Sequence, residues 1–173
     1  SNMFIIDFTS NANVAYAFPL PVGKAKMLKN HSLEIESTKG DNVKAMLDGV
    51  VRLSRKHPNF GNVIVIRHSN GLETMYANNA QNIVKVGQTV KAGQTIAIVG
   101  DKDKRTYSLF SIMVNGARVN PEIIIDTNSH QLRQQAIQCK KTGSRVDISV
   151  VTVDQKKAVS DDDDPFAAGY TIK

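Results

Sequence analysis

Between Phe18 and Ile125 the chain is a series of short β-branched runs cut by glycine-bearing turns, and this rhythm leaves few ways to fold. The runs at 43–47, 49–53, 63–67, 74–77, 83–86, 95–99 and 109–114 read as strands. Lys39-Gly40-Asp41, Asp48-Gly49, Ala92-Gly93 and Gly100-Asp101 punctuate them as turns. Asn70-Gly71 and Asn115-Gly116 fit two-residue hairpin turns, whose central residues need positive φ. No helical period runs through this region. Closely spaced short strands predict a mainly β, antiparallel core of sandwich or barrel-like build.

Past Pro121 the pattern changes. The segment 128–141 carries Leu132, Ala136, Ile137 and Lys140 at helical spacing, with Asn128 or Ser129 as N-cap and Gly143 as a stop, so it predicts a helix. The stretch 145–153 alternates as a strand. Residues 160–173 open on four aspartates and read as a flexible acidic tail, with a docking peptide as the alternative. The expected organisation is therefore a lead-in at 1–17, a β domain at 18–125, a helix-strand extension at 126–159 and a tail at 160–173.

Composition narrows the function classes. The net charge of +6 is spread over scattered lysines and aromatics make up 6%, which is unlike the basic stripe with interleaved rings of a nucleic-acid binder. No apolar run reaches the roughly 20 residues of a membrane span. The single cysteine, Cys139, excludes an intrachain disulfide. Ala15-Tyr16-Ala17 has the shape of a signal-peptidase site. The preceding segment holds Asp7, Ser10, Asn11 and Asn13 and no basic start, so it is not read as a signal peptide.

Several motifs occur in a fixed order. Asp48-Gly49-Val50-Val51 is followed by Phe60-Gly61-Asn62-Val63, a hairpin through His68 to Gly71, and then Thr74-Met75-Tyr76-Ala77. Next come Val86-Gly87, Val90, Ala92-Gly93-Gln94 and Val99-Gly100, and finally Val114-Asn115-Gly116 with Val119-Asn120-Pro121. This series resembles the core of the lysostaphin/LytM-type zinc endopeptidases of peptidoglycan. The resemblance spans about 18–125 and implies their barrel-sandwich core, a duplicated hybrid β motif.

Enzymes of that family hold zinc through an H-x-x-x-D motif and the second histidine of H-x-H, with further histidines acting on the transition state. Aligning on Leu33-Glu34-Ile35 places Asn30 at the first histidine and Glu34 at the aspartate. Aligning on Phe110 places Tyr107 and Leu109 at the two histidines of H-x-H, and Asn78 stands where the Y-A-H strand has its histidine. Leucine cannot coordinate a metal, and an amide is a poor zinc ligand beside imidazole. Without a cation no water is activated. His31, one residue from the ligand position, lies three residues from Glu34; on a strand that spacing turns the two to opposite faces.

The resemblance therefore implies a degenerate member, lacking zinc and catalytic residues, whose vestigial groove is lined by Asn30, His31, Glu34, Asn78, Tyr107 and Leu109. The expected function is a non-catalytic module of the cell envelope, periplasmic or extracellular, that binds a peptidoglycan fragment or regulates a cell-wall hydrolase. One alternative is a lysostaphin-type metallopeptidase rebuilt around His31 and Glu34. The other is a lipoyl- or biotinyl-like carrier, which would need a lysine at a hairpin tip, whereas Lys44 falls within a strand run.

Overall fold

The computed structural model of the protein describes residues 3–9, 15–69 and 71–151. These residues form two compact units, one from 3–9 and 134–151 and the other from 15–69 and 71–133. The acidic tail expected at 160–173 lies outside the described residues.

The chain opens with β1 (Met3–Asp7), followed by β2 (Lys24–Met27), β3 (Leu33–Glu36) and β4 (Asn42–Lys44). Then come β5 (Gly49–His57), β6 (Gly61–Arg67), β7 (Leu72–Asn82), β8 (Thr89–Val90) and β9 (Thr95–Lys102). After β10 (Arg105–Val114) and β11 (Ala117–Val119), a 3-10 turn at Pro121–Ile123 leads to β12 (Ala136–Thr142) and β13 (Arg145–Val150).

The larger unit is one antiparallel sheet in the order β2-β3-β10-β9-β7-β6-β5-β8, with β4 added on β9 and β11 on β10. Alternation decides its faces, since successive side chains on a strand point to opposite sides. Leu33 and Ile35, Ile64 and Ile66, Tyr76, and Phe110 and Ile112 are fully buried and make one side the core. Tyr76 and Phe110 lie opposite each other in the ladder, with ring centroids 5.4 Å apart in a tilted pair.

Most turns fall where the sequence places them, but Gly100-Asp101, expected as a turn, lies inside β9 and pairs with β10. Asn115 and Gly116 have φ of 48° and 85° and close a two-residue hairpin between β10 and β11. Asp103 and Lys104, with φ of 53° and 66°, close the β9–β10 hairpin. At the β6–β7 connection His68 N–H bonds the Leu72 carbonyl and Gly71 takes φ 74°, while Asn70, the other residue of the turn expected there, lies outside the described residues.

Two expected elements are different. The run 83–86 is not a strand; it leaves the ladder after Asn82 and ends in a turn at Val86-Gly87. The helix expected at 128–141 does not form either. Its first part is a loop closed by an Ile125–Leu132 bridge, in which the Asp126 carboxylate accepts the Asn128 and Ser129 N–H groups and His130 takes φ 66°. The His130 ring stacks on Phe18 at 3.9 Å between centroids. The rest is β12, which pairs with β1 on one side and β13 on the other. Long-range pairing overrode the local spacing, because a central strand gains two ladders of hydrogen bonds. Gly143, at φ 63°, acts as a hairpin turn and not as a helix stop.

Candidate binding groove

β2 and β3 form a hairpin whose tip is Lys29-Asn30-His31. The Leu28 N–H bonds the Ser32 carbonyl at 2.9 Å, and His31 takes φ 68°, the left-handed residue that closes a three-residue hairpin loop. The Asn30 side-chain oxygen accepts the Ser32 N–H at 3.0 Å, fixing the tip as an Asx turn. Asn30 thus lines the groove described below, while His31 stands exposed on the tip and Glu34 lies within β3.

Glu34, Leu109 and Ala77 sit in register across β3, β10 and β7, so their side chains share the face opposite the core. One step along, Tyr107 is opposite Glu36. Arg105, two residues earlier on the same face of β10, donates to Glu34 at 2.5 Å and reaches Glu36 at 3.6 Å. Its guanidinium carbon lies 5.0 Å from the centre of the Tyr107 ring. The Glu34 hydrogen bond raises the Arg105 pKa further, and burial pushes the Tyr107 hydroxyl up, aided by the Glu34 charge.

Asn78 is a joint in the backbone. Past the Ala77–Leu109 pair, β7 and β10 part and β9 enters between them. Asn78 takes φ 64° at that point, and its amide donates to the Tyr107 carbonyl at 2.7 Å and the Gly100 carbonyl at 3.3 Å. Asparagine tolerates this left-handed conformation better than most residues with a Cβ. Gly100 is required beside it, since a Cβ there would stand 2.1 Å from the Asn78 carbonyl oxygen.

Of the six residues expected to line a vestigial groove, Asn30 and Leu109 do so. Glu34 and Tyr107 belong to the arginine cluster, Asn78 holds the joint, and His31 is at the tip. The groove is a concavity of about 450 Å³. Its floor is Val63, Val65, Met75, Ala77, Leu109 and Met113, and its flanks carry Arg52, Arg55 and Arg118, with His57 and Phe60 at one end. The sequence reading missed these arginines. The signal was strand parity, which puts Arg55 on the same face as Leu53 and His57.

His68 is held on both sides. Its Nδ1 is 2.7 Å from the Asp48 carbonyl, which can only accept, so the proton sits on Nδ1. Nε2 then accepts from Thr74 at 2.7 Å, Thr74 Oγ1 accepts from the Tyr76 hydroxyl at 2.7 Å, and that hydroxyl accepts the Met46 N–H at 2.9 Å. Burial is the main cause that lowers the His68 pKa.

Comparison with known proteins matches the model of peptidase family M23 to residues 29–121, more than half of the chain. The chain belongs to peptidase family M23. This M23 domain is 36% identical over 97 residues to the murein hydrolase activator EnvC of Escherichia coli, covering 55% of this chain and 23% of that protein. It is 32% identical over 91 residues to the DD-carboxypeptidase/endopeptidase Mpg of Neisseria gonorrhoeae, covering 51% of this chain and 21% of that protein. The chain thus spans under a quarter of the length of these two relatives. A putative M23 peptidase of Pseudomonas aeruginosa superposes with a TM-score of 0.57 at 25% identity, covering 65% of this chain and 50% of the other.

The M23 zinc site can be tested against the residues at its positions. An amide turned into its own hairpin, a carboxylate bonded to an arginine and an isobutyl group do not make a zinc ligand set. Among the described residues no three histidine, cysteine or acidic side chains are grouped so as to hold a metal ion. The residues present do not fit the ion.

Proposed function

We propose that this M23 domain is a non-catalytic module of the cell envelope that regulates a murein hydrolase. One observation carries the reading: Glu34, at the family's carboxylate-ligand position, is bonded to the Arg105 cation, with Leu109 opposite it in the ladder. A protein cation already neutralises the carboxylate that zinc would use, and the neighbouring position has no donor atom. The likeness to EnvC, named a murein hydrolase activator, supports a regulatory role. The envelope location is proposed on the same likeness. No helix among the described residues is long and apolar enough to cross a membrane.

The carrier alternative finds no support in the placement of Lys44, which lies within β4 and donates to Thr95 at 3.1 Å. The decisive experiment measures release of soluble fragments from purified murein by this chain alone, by a cell-wall amidase alone, and by both. The reading expects no release by the chain and faster release by the pair. Zinc-dependent release by the chain alone would replace it with the enzyme reading shared by relatives such as Mpg.

A further inference from the structure

The groove carries more information than the lost metal site, because its charge and its floor specify an occupant. Among the described residues no aspartate or glutamate lines it, while three arginines do. Arg52 is taken up by Glu73, which binds it through both carboxylate oxygens. Among the described residues Arg118 reaches the Ser111 hydroxyl, at 3.2 Å, and no carboxylate, and Arg55 has no carboxylate partner. Two guanidiniums therefore keep unused donors suited to planar carboxylates.

The two stand on opposite sides of an apolar floor. Arg55 belongs to β5 and Arg118 to β11, and β6, β7 and β10 lie between them. Four interstrand steps separate them by roughly 20 Å, which an extended peptide covers in about six residues. Between them Val63, Met75 and Leu109 give an apolar side chain a place to bury, and Phe60, 49% exposed, adds an aromatic lip. A sugar chain would find few hydrogen-bond partners on this floor. The Asn30 oxygen is used by the hairpin tip, and Ser32 and Ser111 are buried against each other at 3.0 Å.

We infer that this groove takes an acidic, amphipathic segment of a partner protein, its carboxylates on Arg55 and Arg118 and its apolar side chains on the floor between them. The inference rests on the regulatory reading and names the chemistry of the partner.

The test uses the whole chain and a fluorescent heptapeptide, Glu-Ser-Leu-Ser-Phe-Ser-Glu, read by fluorescence anisotropy. A version with lysine for both glutamates and a disaccharide-pentapeptide from murein serve as comparisons. The acidic peptide should bind at least about tenfold more tightly than the lysine version, in keeping with charge complementarity. The double variant Arg55→Glu/Arg118→Glu should reverse that order; both side chains are exposed, so circular dichroism should be unchanged. Equal or absent binding of the two peptides, or tighter binding of the murein fragment, overturns the inference. The murein-release assay separates this from the wider reading. Stimulation of the amidase that survives in the double variant defeats the groove inference alone, whereas no stimulation by the unaltered chain defeats the regulatory reading.

Discussion

Arg105 and Glu34 form an ion pair across the β3–β10 ladder, with the Glu34 side chain only 13% exposed. The pair joins a carboxylate to a positive group carried by the same sheet. Its removal and replacement give the first prediction. The unaltered chain should bind zinc no more tightly than about micromolar, which is about −8 kcal/mol. Restoring donors through Asn30→His, Glu34→Asp and Leu109→His should create a measurable site. Adding Arg105→Ala should tighten that site at least about tenfold by removing a like charge from the cation. Calorimetric zinc titration reads all three, and tight binding by the unaltered chain would refute the account.

A second prediction concerns acid. The His68 pKa is lowered in the folded protein from its ordinary 6.5, so the unfolded chain takes up a proton first as the pH falls. The stability given by neutral His68 is complete above pH 6.5 and is lost as the pH drops towards the folded value. Urea midpoints measured from neutral pH down to about pH 5 should fall in the native protein. They should fall less in His68→Gln, which does not titrate.

Tyr76→Phe isolates the next link. The change removes the acceptor of the Met46 N–H, which is buried, and should cost about 1–3 kcal/mol. Equilibrium unfolding at neutral pH measures it. A loss within a few tenths of a kcal/mol would show that the hydroxyl is not needed there.

Gly100→Ala should be more damaging than its single methyl suggests. The new Cβ would meet the Asn78 carbonyl oxygen at 2.1 Å, and that oxygen belongs to backbone and cannot turn aside. A loss of about 1–3 kcal/mol is expected from overpacking. Gly87→Ala gives the contrast: nothing lies within 4 Å, and only its φ of 93° is strained. Thermal unfolding of the two variants separates steric cost from conformational cost.

The thiol of Cys139 is fully buried, and burial pushes its pKa up to about 11. Alkylation at mildly alkaline pH should therefore be slow in the native chain and rapid in denaturant, by mass spectrometry. Fast native labelling would mean that β12 opens far more readily than its two ladders suggest.

Much of the larger unit could be read from local chemistry. The Asn115-Gly116 hairpin is written in two residues that accept positive φ, and the core parity of 64, 66, 110 and 112 is written in alternation. β12 could not be read that way. Leu132, Ala136, Ile137 and Lys140 fit a helical face, and the β1 strand that decides otherwise lies over 120 residues away in the sequence. The motif resemblance singled out Glu34, Asn78 and Leu109, yet a resemblance does not say what a side chain does in this fold. Asn78 became a backbone brace because β7 and β10 part there, and Arg105 was found only when the register put it beside Glu34.

The chain of hydrogen bonds through His68 begins at the Met46 amide and ends at the Asp48 carbonyl, two residues further on. Every donor along it points the same way, a direction fixed by an amide that can only donate at one end and a carbonyl that can only accept at the other. It works as a clasp: the link between β4 and β5 is fastened at both ends to one run of side chains from β7 and the hairpin that precedes it. Opening either end frees the other. The Met46 amide should therefore exchange with solvent faster once the run is cut midway, as in Thr74→Val.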